Sequence, residues 1–546
     1  MLKSLAENIQ QSFVLFLLIL VSLIISPGQS HDPFNLIKLS TLSFGIALNL
    51  LFWILVNYKV ISSTLKDIWF VFPLLSTIFI SSILNHIDAD IFFGDFGRNT
   101  GLLSYVCFIT LFVISSTFKK STVRFVPYCL ITIALINIFL SNVNILGDFS
   151  TIWSSPTGKY FGTFGNSNFF SAFLGISSIA AFSLIFVYTS KLRVILIICF
   201  CVYANFVIYK ANSLQGNLVS IVGILVVIFL RFNKVISRSA KFILLLATLI
   251  MFVLIFFGSI GLGPLKFLYQ SSAVIRFEYW KTALNLIKNH ALLGVGPDNF
   301  ADWYRTYRTD SLFEITGPNV ITTSAHNELL DIGSSFGIFA LLAYSLFLIM
   351  IFLRLIKYLR SSKFDPYFVS IFACWIGYLI QAQISVVNLS ITSWGWLMGG
   401  TLVSITRGKE HSGGTTKYRI TSILKILTTS VSITSFIFVS ILSFIPFKND
   451  KLFFQSLREG SASKLIEVST SKPLNIYYLN YASRLLKDFD YLNESLELAL
   501  ISSEINQRNF VAWNLILENP IASSDQKSRA LAKIKSLDVK ALEKTQ

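Results

Sequence analysis

The polar stretch from Arg276 to Gly337 gathers residues able to do chemistry: two of the five histidines, a cluster of arginines, five Trp and Tyr residues and the turn Gly294-Val-Gly-Pro297. His326 lies in Ser324-Ala-His-Asn-Glu328, just before an apolar run. An imidazole there exchanges a proton near neutral pH; the alternative is a solvated loop histidine. Asn327 and Glu328 stand beside it to orient it or to bind a sugar hydroxyl. Arg276 begins RFEYWKTALNLI, and Ile275, Trp280, Ala283, Leu284 and Ile287 mark one apolar face of an amphipathic helix. Laid along a membrane surface, that helix puts Tyr279 and Trp280 at headgroup level. Its guanidinium then suits a lipid diphosphate, which it meets as a permanently charged fork; the alternative is a snorkelling interfacial arginine. Arg305 and Arg308, in WYRTYRTD, suit phosphate or sugar contacts, or a solvated face. Arg98, in FGDFGRNTGLL, offers a second cation for a diphosphate, with Asp95 close enough in sequence for an ion pair. Asp88 and Asp90 form a weak DxD-like pair, and no metal site is expected.

These residues need a scaffold, and the composition says what kind. The 546 residues are 54% hydrophobic with a mean hydropathy of +0.67, and only 13% are charged; a soluble chain carries about 25% charged residues. The apolar residues fall in blocks of about 20, the length that crosses a hydrocarbon core. Thirteen spans are expected, at 11–27, 36–57, 68–86, 101–118, 124–145, 167–189, 192–209, 213–231, 240–262, 333–354, 366–386, 387–405 and 421–446. The fold class is therefore all-α and polytopic. The first block lacks a small-residue cleavage motif and reads as a retained span. The five cysteines all lie inside apolar blocks without metal-ligand spacing. The net charge of +17 sits in short clusters between spans rather than on an aromatic-laced basic face, which excludes nucleic acid as the expected partner.

The same clusters set a topology. With the N-terminus in the cytoplasm, the even-numbered connections hold Lys59 and Lys66; Lys119, Lys120 and Arg124; Lys191 and Arg193; Arg231, Lys234, Arg238 and Lys241; Arg354, Lys357, Arg360 and Lys363; and Arg407, Lys409, Lys417 and Arg419. The other connections are acidic or mixed, so the long segment 263–332 between spans 9 and 10 and the tail 447–546 face outward. Outward connections also bring amides and hydroxyls: Asn166 and Asn168 in the Gly-rich loop 150–168, and Gln215 in Asn212-Ser-Leu-Gln-Gly-Asn217. Polar groups at membrane depth are tolerated where they line a protein or water cavity. The tail is helix-favouring, with Tyr481, Leu485, Leu486, Tyr491, Leu492, Leu496 and Leu500 at helical spacing; Pro473 and Pro520 punctuate it, and Asp488-Phe-Asp490 would link two helices. It reads as one or two tetratricopeptide-like hairpins or as an unrelated helical tail. Two domains follow: a membrane domain, 1–446, and a helical domain, 447–546.

Taken together, Arg276 to Trp280, Leu293-Gly-Val-Gly-Pro-Asp-Asn-Phe300, Ala325-His-Asn-Glu328 and Phe336-Gly-Ile338 resemble the signature of the O-antigen ligase and polymerase superfamily. Gly162-Thr-Phe-Gly-Asn-Ser-Asn168 is similar to a further block, and Arg98-Asn-Thr-Gly101 to the early outer loop, so the resemblance spans roughly residues 90–405. It implies a cofactor-free, metal-independent inverting transfer of a glycan from a polyprenyl-diphosphate carrier to a lipid or glycan acceptor, at the periplasmic face of the bacterial inner membrane. Carried over by position, Arg276 and His326 are the catalytic residues, and the C-terminal helices would recruit an acceptor or a periplasmic protein. Many members have Ser-Arg-Gly where this chain has Ser213-Leu-Gln-Gly216; Arg98, Lys210, a loop arginine or Gln215 must stand in. Ligase, polymerase and protein O-oligosaccharyltransferase share these blocks, with His326 favouring ligase-type transfer. A polyprenyl-linked glycan transporter fits less well, because the polar blocks gather on one face and no internal repeat is visible.

Overall fold

The computed structural model describes residues 2–57, 61–143, 160–233, 235–361, 364–407 and 422–538. The expected outward loop 147–159 and most of the basic stretch after Arg407 lie outside them, as do Lys59, Lys234 and Lys363. Among the described residues the chain is helical with no strands.

In chain order, the first membrane part contains α1 (Leu2–Leu23), α2 (Asn35–Asn57), α3 (Ile61–Asp67), α4 (Val71–Leu84), α5 (Ala89–Phe93), α6 (Leu102–Ser115), α7 (Lys120–Val123) and α8 (Val126–Asn142). It continues with α9 (Ser167–Leu184), α10 (Lys191–Lys210), α11 (Leu214–Phe232) and α12 (Arg238–Ser259). The long connection holds α13 (Ser271–Asn289), α14 (Phe300–Tyr307), α15 (Asp310–Thr316) and α16 (Glu328–Phe336). Then come α17 (Ile338–Ser361), α18 (Pro366–Ala382), α19 (Leu389–Thr406) and α20 (Ser422–Glu459). The tail has α21 (Ala462–Ser469), α22 (Ile476–Asp488), α23 (Leu492–Ile505), α24 (Phe510–Glu518) and α25 (Ser524–Leu537).

Each of the thirteen expected apolar stretches carries a helix: α1, α2, α4, α6, α8 to α12 and α17 to α20. Helices are what such sequences must form in lipid, because they satisfy every backbone group within the segment. Eight are long and apolar enough to cross a bilayer by length and composition, and α4, α6 and α18 are shorter apolar helices. The protein is an all-α, multi-pass membrane protein. One continuous core joins α1, α2, α4, α6, α8, α9, α11 and α17 to α19.

The connections sort to two ends, as the charge pattern requires. At one end Asp67, after α3, takes Arg354 of α17 (3.0 Å) and Arg407 after α19 (2.7 Å), and Lys119 meets Glu7 at 2.6 Å. At the other end the connection after α1 reaches the tail: His31 Nε2 and the Tyr477 hydroxyl lie 2.9 Å apart, and Asp32 N donates to Asp450 Oδ2 at 2.9 Å. Asn35 Nδ2 donates to Gly97 O at 2.9 Å, and Lys38 Nζ to Thr163 O at 2.5 Å.

Two features differ from the sequence reading, the start of one span and the buried face of α13. The span expected from 333 begins at Ile338, because Gly337 breaks the chain at φ 86° and residues 328–336 form the separate helix α16. The helix α20 runs without a break through Pro446 to Glu459. On α13 the buried face is Glu278, Tyr279, Thr282, Ala283 and Leu286, while Leu284 is 55% exposed. The helix packs on α14 to α16, which sets its buried stripe. In the tail, α22 pairs with α23 and α24 with α25, around two small apolar cores.

Candidate functional site

The site starts from a backbone clasp. Gly294 has φ 65° and lies so close to the Ser334 and Ser335 backbone that a Cβ would collide with it. That approach lets Val295 N donate to Ser334 O and Gly296 N to Ser335 O, both at 2.9 Å. The turn after α13 is thereby fastened to the C-terminal end of α16, so Arg276 and His326, carried by α13 and by the entry to α16, belong to one unit. Ser81 of α4 also donates to Leu293 O at 2.5 Å, seating the turn on the membrane helices.

Asp298 then draws in the loop before α6. Its Oδ2 accepts from Asp95 N (3.1 Å) and Thr100 N (2.8 Å), and its Oδ1 from the Thr100 hydroxyl (2.6 Å). Arg98, between those residues, is brought to the same place. Asn99, Asp298 and His326 all adopt left-handed backbone, at φ 57°, 56° and 57°. Non-glycine residues seldom sit there without surroundings that enforce it, and such strain concentrates at functional sites.

His326 sits with its ring centroid 5.5 Å from that of Tyr279 on α13, and its backbone N donates to Ser324 Oγ at 3.1 Å. Burial, with Arg98 and Arg276 adding positive charge nearby, pushes its pKa down to about 3. The imidazole is therefore neutral at physiological pH. Burial also lowers Arg276 from its ordinary value, and no acidic group is paired with its side chain among the described residues. Arg98 Nε is buried without a hydrogen-bond partner there. Two guanidinium groups thus bear on one neutral histidine. Beside them lies a small pocket of about 20 Å³, room for about one water-sized group, lined by Arg98, Thr100, Asp298, Ser324, Asp331 and Ser335, among others. Such an arrangement offers positive charge to an anion and a polar wall to a hydroxyl.

The other expected site residues are placed differently. Asn327 caps α16, accepting from Leu330 N at 3.1 Å and donating to Gln383 O at 3.1 Å. Glu328 is 2% exposed and takes the Tyr378 hydroxyl at 3.1 Å; burial raises its pKa to about 7. Both seat α16 rather than face the cleft. Arg305 and Arg308 reach Asp538, at 3.2 and 2.5 Å, and Arg305 also lies over Phe510, 3.9 Å from its centroid. They join the long connection to the tail. Arg508 of the tail completes that junction, 3.6 Å from the Trp303 ring centroid and donating to Thr306 Oγ1 at 2.6 Å. Asn166 caps α9, and Asn168 accepts from Ser213 Oγ at 2.9 Å. Gln215 is buried with both amide atoms unpartnered among the described residues. No hydrogen bond described joins these amides to the His326 cleft.

Sequence reading missed Asp298 and Asp331. The Pro-Asp-Asn context of Asp298 is a turn signal, which hid its bonding role. Asp331 lies at helical spacing from Asn327 and faces the cleft, but nothing local distinguishes it from a first-turn helix acid. The pair Asp88 and Asp90 is divided: Asp88 caps α5, accepting from Ile91 N at 2.8 Å. Burial and the neighbouring Asp95, Asp88, Asp302 and Asp298 raise the pKa of Asp90.

A comparison with curated proteins gives no match. A family model does match: residues 198–345 fit O-antigen ligase, covering α11 to α16 with Arg276, Asp298, His326 and Asp331. Within residues 198–345 the chain is thus similar to the O-antigen ligase family, and that stretch includes Asp298, Ser324, Asp331 and Ser335 of the pocket wall.

Proposed function

We propose that the protein transfers a glycan from a polyprenyl-diphosphate carrier to an acceptor hydroxyl at the outer face of the bacterial inner membrane, in the manner of an O-antigen ligase. The observation that carries this reading is that Arg98 and Arg276 both act on the buried His326, in a unit fastened to the membrane helices through Ser81. The diphosphate binds between the two guanidinium groups, which fits their charge and fork geometry. Arg98 takes the place of the missing Ser-Arg-Gly arginine. The acceptor oxygen attacks the anomeric carbon, the bond from that carbon to the phosphate oxygen breaks, and the polyprenyl diphosphate leaves with the bonding electrons. Direct displacement inverts the anomeric centre.

The acceptor hydroxyl proton passes to His326. Burial, with the two arginines, holds its basicity down; a bound diphosphate offsets the arginines' share, so the base strengthens once the donor is in place. Carbon–oxygen cleavage is helped by charge held ready at the leaving group, and the protein's contribution is positioning and electrostatics. Asn327 and Glu328 hold α16 in register, and Arg305 and Arg308 hold the tail against the connection.

The test is transfer in proteoliposomes containing the full chain, a polyprenyl-diphosphate-linked oligosaccharide and core lipopolysaccharide. Wild-type protein should form the glycosylated acceptor, and Arg276→Ala and His326→Ala should not. Movement of the donor across the bilayer without transfer would make the protein a transporter instead.

A further inference from the structure

Two carboxylates line the cleft, and their bonding differs. Asp298 is fully engaged: three donors from Asp95 and Thr100 occupy its two oxygens. On Asp331 the oxygen with a hydrogen bond is Oδ1, and the Asn327 backbone N–H also acts on the carboxyl. Its Oδ1 accepts from Ala325 N at 2.7 Å, the residue before His326, and so holds the turn that presents the imidazole. Its Oδ2 is buried and has no hydrogen-bond partner among the described residues, although the residue is only 8% exposed. A buried carboxylate oxygen without a donor is costly, and a site that keeps one is arranged to receive a donor from a ligand.

The surroundings indicate which ligand. Arg98 lies close enough to Asp331 to act on its charge, yet no ion pair forms between them among the described residues. Burial, with Asp298 adding negative charge, brings the Asp331 carboxyl up to about 7. Thr100, Ser324 and Ser335 add hydroxyl and backbone groups to the same wall. A carboxylate oxygen among hydroxyls repels a diphosphate and suits a sugar, whose hydroxyls both donate and accept.

We propose that Asp331 Oδ2 binds a hydroxyl of the acceptor, making it an acceptor-binding residue. The assignment rests on the glycan-transfer reading for the nature of the acceptor. It sets a hydroxyl-binding carboxylate on the pocket wall that Arg98 also lines, next to the turn that carries His326.

Asp331→Asn isolates the point, because the amide oxygen can still accept from Ala325 N while an NH2 group replaces Oδ2. The full chain in nanodiscs is titrated separately with core lipopolysaccharide and with polyprenyl diphosphate. In Asp331→Asn the dissociation constant for core lipopolysaccharide should rise at least tenfold, while that for polyprenyl diphosphate stays the same or tightens and the melting midpoint is unchanged. Equal core lipopolysaccharide binding by the variant and wild type overturns the proposal. So does parallel weakening of both ligands with a lowered melting midpoint, which marks a purely structural residue. If the Asn variant does not fold, Asp331→Glu keeps the charge and displaces the oxygen by one methylene; unchanged lipopolysaccharide affinity there equally overturns it. Wild-type protein that binds both probes with the selective Asp331 effect, yet transfers no glycan, would defeat the transfer reading and leave the subsite standing.

Discussion

Asp298 accepts both the backbone N–H and the hydroxyl of Thr100, at 2.8 and 2.6 Å, across 198 residues of sequence. Through this pair the loop that carries Arg98 is held against the turn that follows α13. The cation side of the cleft depends on it.

Replacing Asp298 by Ala should therefore separate Arg98 from His326. It also leaves the Thr100 and Asp95 donors without partners, a loss of about 1–3 kcal/mol for buried groups. The expected outcome is a lower melting midpoint together with weakened polyprenyl diphosphate binding. Retained diphosphate affinity would show that Arg98 does not need this clasp.

His326→Ala should lower transfer by about 10²–10⁴-fold, the usual contribution of a general base. It should also change the acid side of the stability profile. The folded site holds this imidazole down at about 3, while in the unfolded chain it takes a proton near its ordinary value of 6.5. Acidification below 6.5 thus favours the unfolded chain, by up to about 2 kcal/mol at pH 5. Melting midpoints of wild type and variant, compared from pH 7 to 5, should show the wild type losing more.

Glu328 has the opposite sign. Its folded carboxyl is raised to about 7 against an ordinary 4.5, so its stabilising contribution is full below 4.5 and is lost as pH rises to 7. Glu328→Gln keeps a group to receive the Tyr378 hydroxyl and cannot ionise. The variant should gain on the wild type by up to about 3 kcal/mol between pH 4.5 and 7, then run parallel above it. Parallel melting curves across the whole range would contradict the buried placement of Glu328.

Asp538 compensates two guanidinium groups whose side chains are 9% and 3% exposed, Arg305 and Arg308. Asp538→Ala leaves both buried and uncompensated, which costs about 3–5 kcal/mol. The expected result is faster proteolysis of the tail in the folded protein. If these arginines instead served the glycan, tail proteolysis would be unchanged and only transfer would fall.

A reporter fused after Gly460, where α20 has ended, should be active only outside the cytoplasm. Cytoplasmic activity would reverse the assigned orientation and place the His326 cleft on the wrong face for a periplasmic acceptor.

The sequence alone determined the thirteen apolar helices, the sorting of their connections to two ends, and the pairing of Arg276 with His326 as the residues to watch. These are legible because hydropathy, charge placement and turn chemistry act locally, within one span or one loop. The tail's helical hairpins were legible for the same reason, from the spacing of Leu and Tyr. Tertiary structure alone decided which arginines are paired with an acid and which are not. Arg98 is left with an unpartnered Nε beside His326, while Arg305 and Arg308, in the more suggestive sequence, are spent on Asp538. It also set the left-handed backbone of His326 and separated Asp298, with every oxygen engaged, from Asp331, with one left open. A guanidinium or a carboxylate has the same composition wherever it stands. Its function follows from the partner that long-range packing brings to it or withholds, and no local pattern carries that information.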